Sequence, residues 1–367
     1  MKIAIVCDTA YQVLNALSLT NEFVQDAENS VDLFIGHQFV NSRKIAEQIQ
    51  KENICTAVYG FVPKKQAAGM VGKVKRVFEI IDNEKSVLGQ LEEAVDVKAK
   101  QYDAIFMSLP SHFATSLTFM FPKAKVYYFD DGIGSYNGSI GINCIAKMNQ
   151  IIYRLLGKNL NQLKPEVVYL NNPGFSRNLD QELRQIPALT NATSQFWDMI
   201  SRIWSYEDDG YYRNHKVLYL TQPSDGDVTY DEVHDLMVEL LDPYSETCLL
   251  RPHPRQTDVN SGSMEIDNHR AMWELVCAGQ ITDEHLLISH YSTSQILPKI
   301  IYNKEPVLVF CYKMAVSKST SIDTTEMDDV VQRLREAYSD PSKIYVPETR
   351  EEMVMVLQKT INVESRK

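Results

Sequence analysis

The sequence predicts an α/β protein built as two doubly wound, Rossmann-like domains facing a central cleft. Three observations lead there. Short apolar runs alternate with helical periodicity along most of the chain, as in βαβ units around a parallel sheet. At 367 residues the chain exceeds what one typical core holds. Two charged motifs, one in each half, directly follow strand-like runs, where open α/β sheets place their ligands.

The elements follow in order. Strands are predicted at 2–7, 31–36, 55–60, 103–107, 125–129 and 166–170, with helices at 10–24, 40–52, 71–83, 86–99 and 111–120 between them. The second half repeats the scheme. Its strands are predicted at 216–221, 246–250, 285–289 and 306–310, and its helices at 229–242, 269–278, 293–303 and 324–338. Periodicity weakens within 175–212, after the turn signal Asn171-Asn172-Pro173-Gly174, so the break between domains is placed there. The division reads as 1–195 and 196–345. A last helix, 349–361, follows Pro347 and is expected to pack back on the first domain.

Composition excludes several classes. Hydrophobic content of 44% and charged content of 23% are those of a water-soluble globular protein. A net charge of −11 argues against nonspecific binding to nucleic acid or anionic lipid over the whole surface. The six cysteines show no CxxC pair and read as reduced thiols of a cytoplasmic protein. The chain opens directly on a strand, so no signal peptide is expected. No apolar run is long enough to span a bilayer. Basic residues at Lys64-Lys65, Lys73-Val74-Lys75-Arg76, Lys147, Arg154, Lys158 and Lys164 leave a peripheral contact with a membrane or glycolipid open; a solvated helix face is the commoner outcome.

Four motifs carry the chemistry. Asp130-Asp131-Gly132 ends the run Val126–Phe129. Adjacent acids on extended backbone point to opposite sides, so one can face a cleft while the other holds backbone amides. Arg251-Pro252-His253-Pro254-Arg255 ends the run Thr247–Leu250 and sets an imidazole between two prolines and two guanidinium groups, which suits a phosphate. Ser292 and Thr293 stand where the helix after 285–289 begins, a place that favours an anion. Tyr11 and Gln12 follow the first strand in a loop without the G-x-G-x-x-G dinucleotide pattern. Each has a plain structural reading: an Asp/Gly turn, a basic loop, a helix cap and a βα connection.

As an ordered set, Thr9-Ala10-Tyr11-Gln12, Asp130-Asp131-Gly132, His253-Pro254 and Ser292-Thr293 resemble the bacterial sialyltransferases, most closely glycosyltransferase family 52, the lipooligosaccharide and capsule type. The set spans about 1–295, and the hydroxyl pair is Ser-Thr where Ser-Ser is frequent. The resemblance implies a GT-B fold and inverting transfer of sialic acid from CMP-sialic acid to a terminal galactose, with no metal or other cofactor. It implies that Asp131 or Asp130 is the general base, with Asp131 favoured because it lies nearer the glycine turn. His253 would be the acid or donor to the CMP phosphate, and Pro254, Ser292, Thr293 and Arg251 would line the CMP site. Tyr11 and Gln12 would lie on the acceptor side, with the first domain taking acceptor and the second taking donor. Asp225-Gly226-Asp227 has the DxD form of another glycosyltransferase class but sits beside Pro223 and Ser224 and reads as a turn. The rival readings are a UDP-sugar transferase, a UDP-sugar epimerase of the same shape, and a non-catalytic glycan-assembly protein.

Overall fold

The computed structural model describes residues 1–63, 81–138, 140–177, 181–223, 228–256, 258–316 and 323–361. They form two compact units, Met1–Ser205 and Tyr206–Lys367. The first contains strands β1 (Lys2–Cys7), β2 (Ser30–Gly36), β3 (Ala57–Phe61), β4 (Ala104–Met107), β5 (Lys125–Phe129), β6 (Val168–Leu170) and β7 (Leu183–Gln185). They pair in parallel in the order β3-β2-β1-β4-β5-β6-β7. Ile3–Cys7, Val31–Gly36 and Ala104–Met107 are buried on both faces, which is why they read as apolar runs, interrupted only by the buried Asp32. The order reverses direction between β1 and β4. The loops after β1, β4 and β5 therefore share the crevice at the carboxyl edge of the sheet.

Local chemistry fixes how the chain leaves these strands. Thr9 caps the helix Ala10–Phe23 by accepting the Gln12 N–H at 3.2 Å. Ser111 caps His112–Met120 through the Ala114 N–H at 3.3 Å. Gly132 adopts φ of 100°, a conformation that favours glycine, and turns the chain sharply after β5.

The second unit repeats the plan with β8 (Val217–Leu220), β9 (Cys248–Arg251), β10 (Glu265–Ile266), β11 (Leu286–Ser289), β12 (Val307–Phe310) and β13 (Ile344–Tyr345). Its parallel order is β10-β9-β8-β11-β12-β13, which reverses between β8 and β11.

The structure corrects several expectations. The helix expected over 86–99 ends early: Asn83–Leu88 is helical, Gly89 caps it, and the chain is then drawn to β3, where the Glu92 N–H donates to the Gly60 carbonyl at 3.0 Å. The one expected over 71–83 falls mostly outside the described residues. A helix, Ser194–Trp204, occupies the expected linker and buries Phe196, Met199, Ile200 and Ile203 at helical spacing, so the first unit runs on to Ser205. The final helix, Arg350–Ile361, belongs to the second unit. Met353, Leu357 and Ile361 join Val217, Leu286 and Val309 in the core of the second unit, and Arg350 pairs with Glu239 at 2.6 Å. The second domain therefore extends past 345. All six cysteines are free thiols. Among the described residues no helix is long and apolar enough to cross a membrane.

Leu357 is 1% exposed in that core. Leu357→Ala should therefore destabilise the second unit by ~2–5 kcal/mol, read as a lower urea midpoint. An unchanged midpoint would mean that the last helix contributes nothing to the fold.

Candidate active site

The two acids after β5 have separate fates. Asp130 is fully buried. One carboxylate oxygen accepts the Gly132 N–H at 2.8 Å; the other accepts the Tyr136 hydroxyl and both the backbone and side-chain N–H of Asn171, each at 3.1 Å. Its backbone carbonyl accepts from Asn15 at 3.1 Å. Both carboxylate oxygens are thus engaged inside the protein, which gives Asp130 a part in holding the loop together.

Asp131 is only partly buried and turns the other way. Its backbone N–H donates to the Ser135 hydroxyl at 2.9 Å, and its carboxylate accepts the Gln12 side-chain amide. Gln12 can be oriented only one way. Its carbonyl oxygen accepts the Asp8 N–H at 2.6 Å, so its NH₂ group must face Asp131. Burial pushes the Asp131 carboxyl up to about 6. The Gln12 hydrogen bond opposes that rise, and the charges of Asp130 and Asp8 add to it.

Asp8 was missed in the sequence. It directly follows β1, partly buried, and burial also lifts its carboxyl to about 6, against a hydrogen bond from Ser111. Gln38 donates to its carboxylate at 3.2 Å. Gly36 makes room for it: a Cβ there would lie 2.9 Å from the Asp8 carboxylate oxygen. The adjacent turn Asp8-Thr9 was the available signal, but a lone acid after a strand is common. Tyr11 joins the group by accepting the Asn171 side-chain N–H at 2.9 Å. Tyr11, Gln12, Asp130 and Asp131 are thus brought together, with Asp8 added. A carboxyl near 6 that is reachable from water can take a proton from a hydroxyl near neutral pH.

In the second unit the loops after β8, β9 and β11 are tied at one sheet edge. The His253 N–H donates to Thr221 Oγ1 and Gln256 Oε1, both at 3.1 Å. The Arg255 N–H donates to His253 Nδ1 at 3.1 Å, so the neutral ring carries its hydrogen on Nε2. The next residue, Gln222, grips Tyr291 from both sides: it accepts the Tyr291 N–H at 2.9 Å and donates to the Tyr291 carbonyl. Ser292 caps the helix Thr293–Tyr302 by accepting the Ser294 N–H at 3.3 Å. His253, Ser292 and Thr293 therefore share the carboxyl edge of the second sheet.

Arg251 turns inward. Its guanidinium donates to the Tyr212 hydroxyl at 2.7 Å, to Asp267 at 2.5 Å and to the Ala271 carbonyl. These bonds tie the start of the His253 loop to Tyr212, Asp267 and Ala271. Pro254 is exposed beside His253. Asp225-Gly226-Asp227, Lys64-Lys65 and Lys73–Arg76 lie outside the described residues, and among the described residues no group of three or more His, Cys, Asp or Glu could hold a metal ion.

A pH experiment tests the site directly. A folded carboxyl raised from 3.8 to about 6 binds its proton more tightly than the unfolded one, so its contribution disfavours the fold as pH rises through that window. The penalty reaches at most about 3 kcal/mol. Asp131→Asn should therefore raise stability over wild type at pH 7, and the difference should vanish near pH 4. Asp130→Ala should instead destabilise at both pH values, by ~2–4 kcal/mol, because it strands buried donors. Urea titrations at the two pH values separate these outcomes.

No protein-family model and no curated protein sequence matches the chain. Solved structures do. TcCGT1 in complex with UDP is 12% identical with a TM-score of 0.53, over 98% of this chain and 90% of that one. The glycotransferase of kitacinnamycin is 10% identical with a TM-score of 0.51, over 99% and 95%. A candidate UDP-N-acetylglucosamine 2-epimerase of Listeria monocytogenes is 8% identical with a TM-score of 0.51, over 98% and 88%. At such identities the likeness is one of fold, and it runs the length of the chain: the protein has the GT-B fold.

Proposed function

We propose that the protein is an inverting, metal-independent glycosyltransferase that moves sialic acid from CMP-sialic acid to a terminal galactose hydroxyl of a bacterial surface glycan, a lipooligosaccharide or a capsule. The observation that carries the transferase reading is the Asp131 carboxyl near 6, aimed by Gln12 at the carboxyl edge of the first sheet. The choice of sialic acid rests on the ordered motif set. In this reading Asp131 takes the acceptor proton as the acceptor oxygen bonds to the anomeric carbon. The bond from that carbon to the phosphate oxygen breaks, and CMP leaves with the electron pair. The transition state has oxocarbenium character. His253, through Nε2–H, and the amides at the start of Thr293–Tyr302 meet the charge growing on the phosphate.

A second reading, a UDP-sugar donor such as UDP-glucose, is favoured by the shared fold with a structure holding UDP. Incubation with acceptor plus CMP-sialic acid or UDP-glucose, with detection of free CMP or UDP, decides between them. Acceptor-dependent CMP release is the expected result. UDP release alone would move the assignment to the second donor, and release of neither would leave a glycan-binding role.

Under the first reading Asp131→Asn should lower transfer by ~10²–10⁴-fold while CMP binding hardly changes. His253→Ala should lower both. Ser292→Ala with Thr293→Ala should weaken CMP binding by ~1–3 kcal/mol in calorimetry, with about 1 kcal/mol of fold stability lost because Ser292 is also the helix cap. Turnover should survive EDTA; activity that dies in EDTA and returns with manganese would contradict the metal-independent mechanism.

A further inference from the structure

Residues 132–165 contain no aspartate or glutamate, in a chain with 48 acids and a net charge of −11. The same stretch carries Lys147, Arg154, Lys158 and Lys164. Its helix, Lys147–Leu155, has two unlike faces. Tyr153 points inward and packs with Ile145, Leu160 and Leu163, with Ile152 half-buried against them. The outer face shows Met148, Ile151 and Leu155, which remain 64%, 50% and 81% exposed. Their spacing of three and four residues places them on one stripe. Lys147 and Arg154, seven residues apart and both exposed, flank that stripe on the same side of the helix. Single exposed apolar residues need no account, but a stripe of three bordered by cations does.

We infer that this face docks the first unit on an anionic phospholipid bilayer, with Met148, Ile151 and Leu155 entering the headgroup region and Lys147 and Arg154 meeting lipid phosphates. Charge chooses the occupant. The stretch is positive where the rest of the chain is strongly negative, so the field that repels anionic lipid elsewhere reverses here. A second copy of the chain is disfavoured, because a symmetric contact would set Lys147 and Arg154 against their own counterparts. A nine-residue helix is about 14 Å long, little for a stable protein interface but enough for shallow interfacial insertion.

The acid-free stretch also reaches the candidate base. Ser135, near the start of the acid-free stretch, holds the Asp131 N–H. The Cys144 thiol, three residues before the helix, is pushed up by burial and by the Asp131 charge, so it lies within electrostatic reach of that carboxylate. Docking would keep Asp131 close to the bilayer, which suits an acceptor carried on a lipid. The docking itself rests on no assignment of the sugar donor.

Sedimentation of the full chain with vesicles tests it. The protein should pellet with phosphatidylcholine vesicles containing phosphatidylglycerol, stay in solution with phosphatidylcholine alone, and be released by high salt. Lys147→Gln with Arg154→Gln should weaken binding about 30-fold, at roughly fivefold per cation. Ile151→Ser with Leu155→Ser should weaken it at least about tenfold. Both pairs are exposed, so thermal unfolding should not move. Absence of binding to the anionic vesicles, or unchanged binding by both double variants, would overturn the inference. A concentration-dependent dimer lost in Ile151→Ser/Leu155→Ser, without vesicle binding, would do so as well by giving the face to a second copy.

Discussion

One carboxylate without access to water organises the carboxyl edge of the first sheet. Burying a charge this deeply is costly unless donors replace its hydration. Asp130 recovers the loss from Gly132, Tyr136 and two groups of Asn171. Those partners come from the turn after β5 and from the end of β6. Asn171 also donates to Asn15 at 3.0 Å and to Tyr11, both on the first helix. Three segments distant in sequence are therefore pinned to one side chain. The requirement reaches down to the backbone, since the Gly132 N–H can return to Asp130 only through a tight turn, and that turn takes a positive φ.

The neighbouring acid gains its setting from this arrangement. Extended backbone sends successive side chains to opposite sides, so burying Asp130 obliges Asp131 to face outward. Its direction is then refined by Gln12, whose own orientation is dictated by the Asp8 amide. The second unit uses the same logic with neutral groups. Thr221 and Gln222, adjacent at the end of β8, reach the His253 loop on one side and Tyr291 on the other. In both units the working loops leave strands on either side of the point where sheet order reverses.

Much of this was legible in the sequence, and the exceptions have physical causes. The apolar runs located ten strands, most plainly those such as β1 and β4 where two-sided burial leaves a continuous signal. Strands β7, β10 and β13 have only two or three residues and present no period to read. Ser194–Trp204 and Lys147–Leu155 were hidden by polar residues between their inward positions. The final helix showed its apolar face but not its partner; which sheet Met353 and Leu357 cover is decided by tertiary packing alone. At the site, the motifs placed Asp131 and His253 in the loops that follow β5 and β9. They could not show that Arg251 is spent on Asp267, nor that Gly36 and Gln38 make a seat for Asp8. Both facts depend on strands that meet only in the fold.

Asp8 changes how the candidate base should be understood. Both carboxyls are raised to about 6 by burial, and the charge of Asp8 adds to the rise at Asp131. When both are charged, their repulsion is stored in the fold, and a proton arriving on Asp131 relieves it. That relief makes Asp131 a stronger base than its burial alone would. Gln12 works in the opposite sense, stabilising the ionised form so that the site is not already protonated at neutral pH. Burial, which lifts the carboxyl most, the Gln12 amide, which lowers it, and the like charges of Asp130 and Asp8, which add to the rise, together leave Asp131 near 6, a range that suits proton transfer near neutral pH.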